Sequence, residues 1–545
     1  MAETRQIPAM GTLIRPAYMR RDPSWYAIPW QAWLLAALSG VLQVLVFPLP
    51  NLSWLCWIAI TPLLVAILHA RRLGRVPSSV ASVRQGFVLG YLSGIIFYLG
   101  SCNWIYHVMH VYGGLDGPVA AGILVLFCFY LALVNAAFGA LFALAAGRLK
   151  LGPRALVLAP FLWVGLELFR SRIIAFPWDL MGTALVDNIP LSRIATITGV
   201  YGLSFEILLV NAAFASVFLG RRERRTLVLA GCILLVGILQ TGAFFTAPLQ
   251  PANGTARLVQ PNLALDLNWT PAFYEQTLND LSKLSVPQPG ELMPGDPLPD
   301  LVIWPESPAP FYENDPRFQQ TVDKIAVDSH AYVIAGEIGL GPSANDREVY
   351  NSAAIVTPQG RALARYDKVH LVPFGEYVPF KNLFSFAGKL TREVSDFSFG
   401  YERMALPVHS YKLSVFICYE AVFPDEVREF AAKGAQVFIN ISNDGWFGDT
   451  GAPEQHLRMA RMRAIENDRW ILRATNTGIS ASIDPFGRVV STLPRHIRVA
   501  LDVPYGVITG TTFYTRHGDW FAWACAIIAT GVFLALILRI RTAKS

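Results

Sequence analysis

The sequence predicts a protein with two parts, a bundle of eight α-helical membrane spans and a layered α/β domain of about 270 residues. Three observations indicate this fold class. Hydrophobic residues make up 53% of the 545-residue chain and charged residues only 15%, with a mean hydropathy of +0.39, which is typical of a membrane protein. Long apolar runs fill most of the first 246 residues. From residue 256 onward, short strand-like runs alternate with amphipathic helical ones.

The predicted spans are apolar runs that are each near or above the roughly 20 residues needed to cross ~30 Å of hydrocarbon. They cover about 31–49, 53–70, 86–102, 118–147, 154–170, 197–219, 226–246 and 519–538. No small-residue cleavage site follows the first run, so we predict an anchor rather than a removed signal peptide.

Lys and Arg indicate how the spans are oriented. They collect before the first span, between spans two and three, four and five, and six and seven, and after the eighth. Because positive charge marks cytoplasmic loops, both termini are predicted to be cytoplasmic. The predicted domains are then a membrane domain over 1–246, an extracytoplasmic domain over 247–518, and an eighth span with a cytoplasmic tail over 519–545.

The predicted outer domain contains eight strand-like and four helical segments. The strands are expected at 256–260, 300–304, 331–337, 351–357, 413–418, 436–442, 471–476 and 479–484, and the helices at about 271–284, 316–329, 424–433 and 453–468. This alternation is typical of a layered α/β domain. The chain has no clustered basic face with interleaved aromatic residues, so a nucleic-acid partner is not expected.

One cysteine stands apart from the other five. Cys418, in the run "LSVFICYEAVFP", is the only cysteine of the predicted outer domain and has no disulfide partner within it. A lone thiol in an oxidising compartment is a liability unless it is buried or used. Because a strand that ends in a sharp turn can present a nucleophile, Cys418 is either a core thiol or a catalytic one.

A cysteine nucleophile needs a base and donors for an oxyanion. None of the domain's histidines lies in a recognisable Cys/His context. Instead, "LVIWPES" ends a strand with Glu306, and "YDKVHLVPFGEYVP" places Lys368 in a loop, with Glu376 eight residues later. We expect Glu306, Lys368 and Cys418 to meet at one edge of a sandwich. The alternatives are a turn cap for Glu306, a solvated charge for Lys368 and a structural ion pair for Glu376.

The segments "WPES", "YDKVHLVPFGEYVP" and "ICYE" resemble the Glu–Lys–Cys motifs of the nitrilase superfamily, and the match is most similar to its membrane-bound branch, the apolipoprotein N-acyltransferases. This resemblance implies an α-β-β-α sandwich for the outer domain. It implies an enzyme of the bacterial inner membrane that works by a ping-pong thioester mechanism. A fatty acyl chain would pass from a phospholipid to Cys418, and then to the α-amine of an S-diacylglyceryl cysteine at a lipoprotein N-terminus.

The resemblance also implies residue roles. Glu306 would be the general base, and Lys368 would stabilise the oxyanion together with a backbone N–H after Cys418. Glu376 would hold Lys368 or assist proton transfer. Further candidates, for which packing or a structural ion pair is the alternative to a functional role, are Tyr419, Glu420, Trp269, Asn443 and Trp446.

Two segments are candidates for lipid contact. Residues 380–400 are rich in Phe and Leu, including Phe384 and Phe386, and exposed apolar residues in a loop need a partner. We predict a lid there that dips into the outer leaflet. Trp178, in "FPWDLMG", is expected at the outer membrane interface as an aromatic-belt anchor or a lipid-binding lip.

The expected partners are a phospholipid acyl donor, a diacylglyceryl apolipoprotein acceptor and the membrane, with the enzyme acting as a monomer. No metal or cofactor is expected, because the sequence has no HExxH, CxxC or comparable ligand spacing. One alternative is a membrane-anchored amidase or nitrile hydrolase for a small substrate, which leaves eight spans unexplained. Another is a receptor or transporter, which the lack of clustered intramembrane charges disfavours.

Overall fold

The computed structural model describes residues 28–73, 80–219, 222–265, 269–288, 290–291, 297–341, 348–377 and 397–542. The helices of the first half are α1 (Trp30–Val46), α2 (Thr61–Leu73), α3 (Val83–Ser101), α4 (Trp104–His107), α5 (Gly117–Ala143), α6 (Ala155–Arg172), α7 (Ile189–Ser192), α8 (Ala195–Thr198), α9 (Val200–Leu219) and α10 (Arg222–Gln240). The later helices are α11 (Pro271–Ser285), α12 (Pro316–Ser329), α13 (Pro424–Ala432), α14 (Ala452–Asn467), α15 (Phe513–His517) and α16 (Trp520–Thr542).

The strands all lie between α10 and α15. They are β1 (Gly254–Gln260), β2 (Leu301–Ile303), β3 (Tyr332–Leu340), β4 (Val349–Thr357), β5 (Arg361–Asp367), β6 (Leu406–Val408), β7 (Tyr411–Ile417), β8 (Val437–Ser442), β9 (Ile471–Thr475), β10 (Ala481–Ile483), β11 (Val489–Thr492) and β12 (Val499–Tyr505).

The first half and α16 form the membrane bundle. Within the described residues, five helices are long and apolar enough to cross a membrane, namely Gly117–Arg148, Gly152–Arg172, Val200–Phe218, Glu223–Phe244 and Trp520–Arg539. A sixth candidate is the pair Val83–Ser101 and Trp104–Tyr112, which is bent by 53°. These six coincide with six of the predicted spans, so the chain is a multi-pass membrane protein.

The first two predicted spans correspond to shorter apolar helices, Trp30–Val46 and Ser53–His69. A helix of 17 residues, the length of α1, extends only about 25 Å at 1.5 Å per residue, less than the hydrocarbon thickness. The count of eight spans and the predicted orientation therefore remain predictions.

The second half is a sandwich of two six-stranded sheets in the described part of the chain. The first sheet has the order β12-β1-β2-β3-β4-β5, and the second has the order β11-β10-β9-β8-β7-β6. Buried side chains from both sheets share one hydrophobic cluster, so the sheets pack face to face. Helices α11 and α12 cover the outer face of the first sheet, and α13 and α14 pack beside the second. The layers are α-β-β-α.

All eight predicted strands and all four predicted helices of this half are present. The four strands that the sequence did not indicate are β5, β6, β11 and β12, and these are the four edges of the two sheets. The sequence does not indicate these strands because they are partly exposed: β5 begins with three exposed residues, and no residue of β11 is fully buried. Edge strands carry less of the core and so show less apolar patterning.

The sandwich packs against the bundle through polar contacts near one end of its helices. The indole Nε1 of Trp178 donates to Gln455 Oε1 at 2.8 Å, and the amide of Gln455 donates to the carbonyl of Pro48 at 2.9 Å. Arg172 of α6 also forms an ion pair with Asp425 of α13. Trp178 is 1% exposed, so the expectation of a lipid-facing belt or lip is wrong for this residue. Its ring is covered by the sandwich and anchors α14 to the bundle.

Candidate active site

The candidate residues follow the ends of strands. Glu306 lies three residues after β2, Lys368 follows β5 directly, and Cys418 follows β7 directly. Asn443 directly follows β8, which is parallel to β7. Because parallel neighbours end at the same edge of a sheet, these loops converge at one edge of the sandwich.

Cys418 occupies a sharp turn. Its φ is +50°, in the left-handed region that non-glycine residues adopt uncommonly, and it begins the 3₁₀ turn Cys418–Val422. Such conformations persist where the surrounding structure enforces them, and they cluster at functional sites. The side chain is buried. The turn thus has the form of a nucleophile elbow.

Four residues of the first sheet form a polar group that we call the lysine cluster, namely Glu306, Asn351, Lys368 and Glu376. Lys368 Nζ donates to Glu306 Oε1 at 3.0 Å and to Glu376 Oε1 at 2.9 Å. The two N–H bonds of Asn351 Nδ2 reach the same two oxygens, at 2.8 and 2.6 Å. One ammonium and one amide therefore hold two carboxylates side by side.

Glu306 and Lys368 each have a hydrogen-bonding site that the lysine cluster does not use. An ionised carboxylate has about four acceptor sites, and Glu306 uses three, for Lys368, Asn351 and the backbone N–H of Asn443 at 2.9 Å. Lys368 has three N–H donors, of which two serve the carboxylates. Burial opposes its charge, but Glu306 and Glu376 outweigh burial and hold the pKa of Lys368 well above its ordinary value. Lys368 is therefore a fixed cation.

The thiol of Cys418 is protonated at rest. Burial raises its pKa well above the ordinary value, the charge of Glu306 raises it further, and the charge of Lys368 lowers it only in part. A preformed thiolate is thus disfavoured, and attack by the sulfur requires a base that removes the proton during the step.

A glycine lets the loop of Glu306 approach the first sheet. A Cβ on Gly336 of β3 would lie 2.2 Å from the carbonyl oxygen of Pro305 and 2.5 Å from the backbone nitrogen of Ser307. Any side chain at this position would push the loop and its carboxylate away from the lysine cluster.

Glu420 joins the elbow to the loop of Lys368. Its carboxylate accepts hydrogen bonds from the backbone N–H of Ile417 at 2.7 Å, Val369 at 2.8 Å and His370 at 3.1 Å, and from the Tyr366 hydroxyl at 2.9 Å. Burial raises the pKa of Glu420, and the backbone donors oppose this. These contacts occupy both oxygens, so the geometry favours a positioning role over substrate contact.

Tyr419 and Trp446 lie where the sandwich meets the bundle. Tyr419, next to Cys418, belongs to the hydrophobic cluster formed by the membrane helices. Trp446 packs edge-on against Tyr112, with ring centroids 5.2 Å apart, and the Tyr112 hydroxyl donates to the carbonyl of Gly445 at 3.0 Å. The nucleophile elbow therefore faces the membrane part of the molecule.

The remaining predicted residues have simpler surroundings. Asn443 contributes its backbone N–H to Glu306, while its side-chain oxygen accepts from the backbone of Gly445 at 3.3 Å. Trp269 packs beside Phe273 with ring centroids 5.1 Å apart, next to the core under α11 and α12. The predicted lid covers 380–400, and its residues 380–396, with Phe384 and Phe386, lie outside the described residues.

A second polar group lies on the second sheet, and we call it the arginine cluster: Asn440, Asp444, His456 and Arg473. Arg473 donates to Asp444 Oδ2 at 2.7 Å, to His456 Nδ1 at 3.1 Å and to Asn440 Oδ1. His456 Nε2 lies 3.0 Å from the carbonyl oxygen of Cys418. The side chain of His456 thus contacts the backbone of Cys418, and its Nε2 is occupied there.

Sequence reasoning missed Asn351 and the arginine cluster. Asn351 sits in an otherwise small and apolar strand, "NSAAIVT", and a buried amide in such a strand is the signal that could have found it. His456 lies in no Cys/His motif, so its sequence context gives no sign of a role near Cys418. Its contact with the carbonyl of Cys418 depends on the packing of α14 under the elbow, which no local pattern encodes.

Comparison with known proteins gives two family matches. Residues 39–213 match the family described as apolipoprotein N-acyltransferase N-terminal domain, and residues 299–502 match the carbon-nitrogen hydrolase family. An apolipoprotein N-acyltransferase of Geobacter metallireducens is 37% identical over 528 residues, covering 95% of this chain and 98% of its own. One from Pseudomonas syringae pv. tomato is 32% identical, covering 85% and 90%.

Solved structures are similar to about half of the chain. An amidase from Nesterenkonia sp. matches with 18% identity and a TM-score of 0.35, covering 51% of this chain and 97% of its own. XC1258 from Xanthomonas campestris, a CN-hydrolase superfamily protein, matches with 19% identity and a TM-score of 0.34, covering 46% and 90%.

Proposed function

The chain belongs to the apolipoprotein N-acyltransferase family, and from this premise we propose that Cys418 carries the acyl group in a Glu306–Lys368–Cys418 site. The acyl donor is a phospholipid of the surrounding membrane. The acceptor is the α-amine of the S-diacylglyceryl cysteine at the N-terminus of an apolipoprotein.

One observation carries the choice of a lipid substrate. The residue after the nucleophile, Tyr419, packs in the hydrophobic cluster of the membrane helices. A soluble small substrate would gain nothing from an elbow placed against the bundle. A phospholipid whose ester lies at the membrane surface needs the nucleophile at that boundary.

In the first half-reaction, Cys418 Sγ attacks the ester carbonyl while Glu306 accepts the thiol proton. The resulting oxyanion is stabilised by the remaining N–H of Lys368 and by the backbone N–H of Tyr419. When the C–O bond to glycerol breaks, Glu306 returns its proton to the departing oxygen. The products are a thioester on Cys418 and a lysophospholipid, and Glu376 holds Lys368 throughout.

In the second half-reaction, the neutral α-amine attacks the thioester carbonyl and forms the amide bond. Glu306 removes a proton from the attacking nitrogen, and the same two donors stabilise the second oxyanion. The C–S bond then breaks, and Glu306 gives its proton back to the sulfur. The cycle consumes no cofactor.

The membrane setting completes the proposal. The enzyme works as a monomer in the bacterial inner membrane, with eight spans and both termini in the cytoplasm. The sandwich then lies on the extracytoplasmic side, as domain 247–518 between the seventh and eighth spans.

The test is a transfer assay with phospholipid vesicles and an S-diacylglyceryl cysteine peptide. Wild-type protein should N-acylate the peptide, and a peptide with a blocked α-amine should stay unmodified. Cys418→Ala should abolish transfer, because it removes the sulfur that carries the acyl chain in the proposed mechanism. Cys128→Ala, which changes another buried cysteine in α5, should leave the rate unchanged. Transfer that persists in Cys418→Ala would contradict the proposal.

The same assay separates the amidase alternative. A membrane-anchored amidase would hydrolyse short amides at a rate that does not depend on phospholipid. We expect no such hydrolysis, and efficient Cys418-dependent hydrolysis without peptide acylation would favour the amidase.

A further inference from the structure

His456 connects the arginine cluster to the backbone of the proposed nucleophile. We propose that His456 is a positioning residue that orients and polarises the Cys418–Tyr419 peptide, so that the N–H of Tyr419 faces the oxyanion. This inference rests on the proposed acyl transfer through Cys418 and adds a residue that does not touch the substrate. Its evidence is the geometry of one peptide group and of the buried side chains behind it.

The direction of the peptide follows from the hydrogen bond to His456. Nε2 lies 3.0 Å from the carbonyl oxygen of Cys418. In a trans peptide the C=O and the following N–H point in opposite directions, so this contact turns the N–H of Tyr419 away from His456. Tyr419 lies in the first turn of the 3₁₀ segment Cys418–Val422, where N–H groups have no acceptor within the segment. That N–H is therefore suited to a substrate oxygen.

The protonation of His456 is set by its surroundings. Burial and the charge of Arg473 lower its pKa, so the imidazole is neutral. Nε2 faces the carbonyl oxygen of Cys418, which can only accept, so Nε2 carries the hydrogen. Nδ1 lies 3.1 Å from Nη2 of Arg473, which can only donate. Asp444 Oδ1 also lies 3.0 Å from Nδ1, and this oxygen accepts the Ser442 hydroxyl at 2.8 Å. Since Nε2 donates to a carbonyl, His456 is not the base for the thiol.

The arginine cluster contacts two backbone carbonyls of the elbow. Asn440 Nδ2 donates to the carbonyl of Phe416 at 3.2 Å, and His456 reaches the carbonyl of Cys418. Arg473 contacts both side chains and so fixes them relative to each other. Hydrogen bonds in such a chain polarise one another, which makes the N–H of Tyr419 a stronger donor. All four side chains are 0% exposed, so they act through the backbone and not on the substrate.

The test compares His456→Gln with His456→Asn. The amide nitrogen of Gln reaches the position of Nε2, whereas that of Asn reaches only the position of Nδ1. We expect His456→Asn to slow single-turnover acylation of Cys418 by about 10- to 100-fold, somewhat less than the 10²- to 10³-fold that follows loss of a direct oxyanion donor. His456→Gln should stay close to wild type. Alkylation of Cys418 by iodoacetamide should be equal in all three, because that reaction forms no oxyanion.

Three results would overturn the inference: wild-type acylation in His456→Asn, equal losses in the Gln and Asn variants, or alkylation that falls in parallel with acylation. A wild-type protein that transfers acyl groups without acylating Cys418 would instead contradict the proposed function, whatever the His456 variants do.

A measurement on the wild-type protein keeps the inference testable if His456→Asn fails to fold. The ¹⁵N spectrum of histidine-labelled protein should contain a neutral Nε2–H tautomer that His456→Gln removes. A His456 signal with the hydrogen on Nδ1, or with both nitrogens protonated, would overturn the inference.

Discussion

Cys418 lies between two polar clusters that come from different sheets and differ in their access to solvent. The lysine cluster belongs to the first sheet, and its Glu306 and Glu376 side chains are 8% and 12% exposed. The arginine cluster belongs to the second sheet and to α14, and it is fully buried. The first cluster can therefore meet a substrate, whereas the second can only support the backbone. In the proposed reaction, groups of the lysine cluster change charge, whereas groups of the arginine cluster hold the backbone in place.

The two clusters also differ in net charge. In the lysine cluster two carboxylates share one ammonium, which leaves an excess of negative charge for a proton to neutralise. In the arginine cluster one guanidinium meets one carboxylate and a neutral imidazole, and the pKa of Asp444 is held well below its usual range: burial opposes this, but the charge of Arg473 outweighs it. Variants of the first cluster should alter the reactivity of the thiol itself. Variants of the second should alter acyl transfer alone.

The largest effect is expected from Glu306→Gln. Loss of the proposed base should slow acylation of Cys418 by roughly 10³-fold, within the range that general-base catalysis contributes. The charge of Glu306 raises the pKa of Cys418, so the pH profile of alkylation should move to lower pH in the variant. The matched control is Glu337→Gln on β3, since burial raises the pKa of Glu337 to about 8 and the residue is already uncharged at neutral pH. Comparable losses in both variants would contradict a special role for Glu306.

A somewhat smaller effect is expected from Lys368→Met. Removal of an oxyanion donor should lower the acylation rate by about 10²- to 10³-fold. The charge of Lys368 also lowers the pKa of Cys418, so the pH profile of alkylation should move to higher pH in the variant. An unchanged alkylation profile would show that Lys368 does not act on the thiol and would weaken the distinction between the clusters.

Glu420→Gln should have a moderate effect on both stability and rate. Every partner of the carboxylate is a donor, so the amide NH₂ of Gln would face another N–H, at a cost of about 1–3 kcal/mol for a buried unpaired group. We expect a lower melting temperature in detergent and about 10-fold slower acylation, because the elbow and the loop of Lys368 lose their shared anchor. A variant with wild-type melting and rate would rule out the positioning role.

The fold was largely predictable where residues are buried and repetitive. Apolar runs indicated the bundle, and every interior strand of the sandwich was indicated by its own sequence. The four edge strands were missed because exposed residues such as those that begin β5 carry no apolar alternation. Trp178 was placed at a lipid interface because a sequence cannot reveal that α14 covers its ring.

The candidate site was predictable to the extent that it lies at strand ends. Glu306 and Lys368 meet as expected, and Glu376 joins them, because short motifs after strands place polar groups at a sheet edge. The roles of Asn351 and His456 could not be predicted, because each depends on contacts between residues distant in sequence. The distance between Asn351 and Glu306 is 45 residues, and that between His456 and Cys418 is 38.

The smallest effect on turnover is expected from Glu337→Gln, because Glu337 lies outside both clusters. The change should instead alter the pH dependence of stability. The folded-state pKa of about 8 lies above the ordinary value of 4.5, so the folded protein binds this proton more tightly than the unfolded chain. The free energy of unfolding should therefore fall as pH rises from about 4.5 to about 8. In Glu337→Gln the fall should be smaller, as measured by denaturation at several pH values. An identical pH dependence in both proteins would contradict this assignment.

The most direct test of the account follows the acyl group through Cys418. Protein incubated with phospholipid and no acceptor should gain one acyl mass on the peptide that contains Cys418, and hydroxylamine should remove it. Addition of S-diacylglyceryl cysteine peptide after removal of the donor should discharge the acyl group into N-acyl peptide at the rate of turnover. If N-acyl peptide forms in a single turnover while Cys418 stays unmodified throughout, the thioester account is wrong.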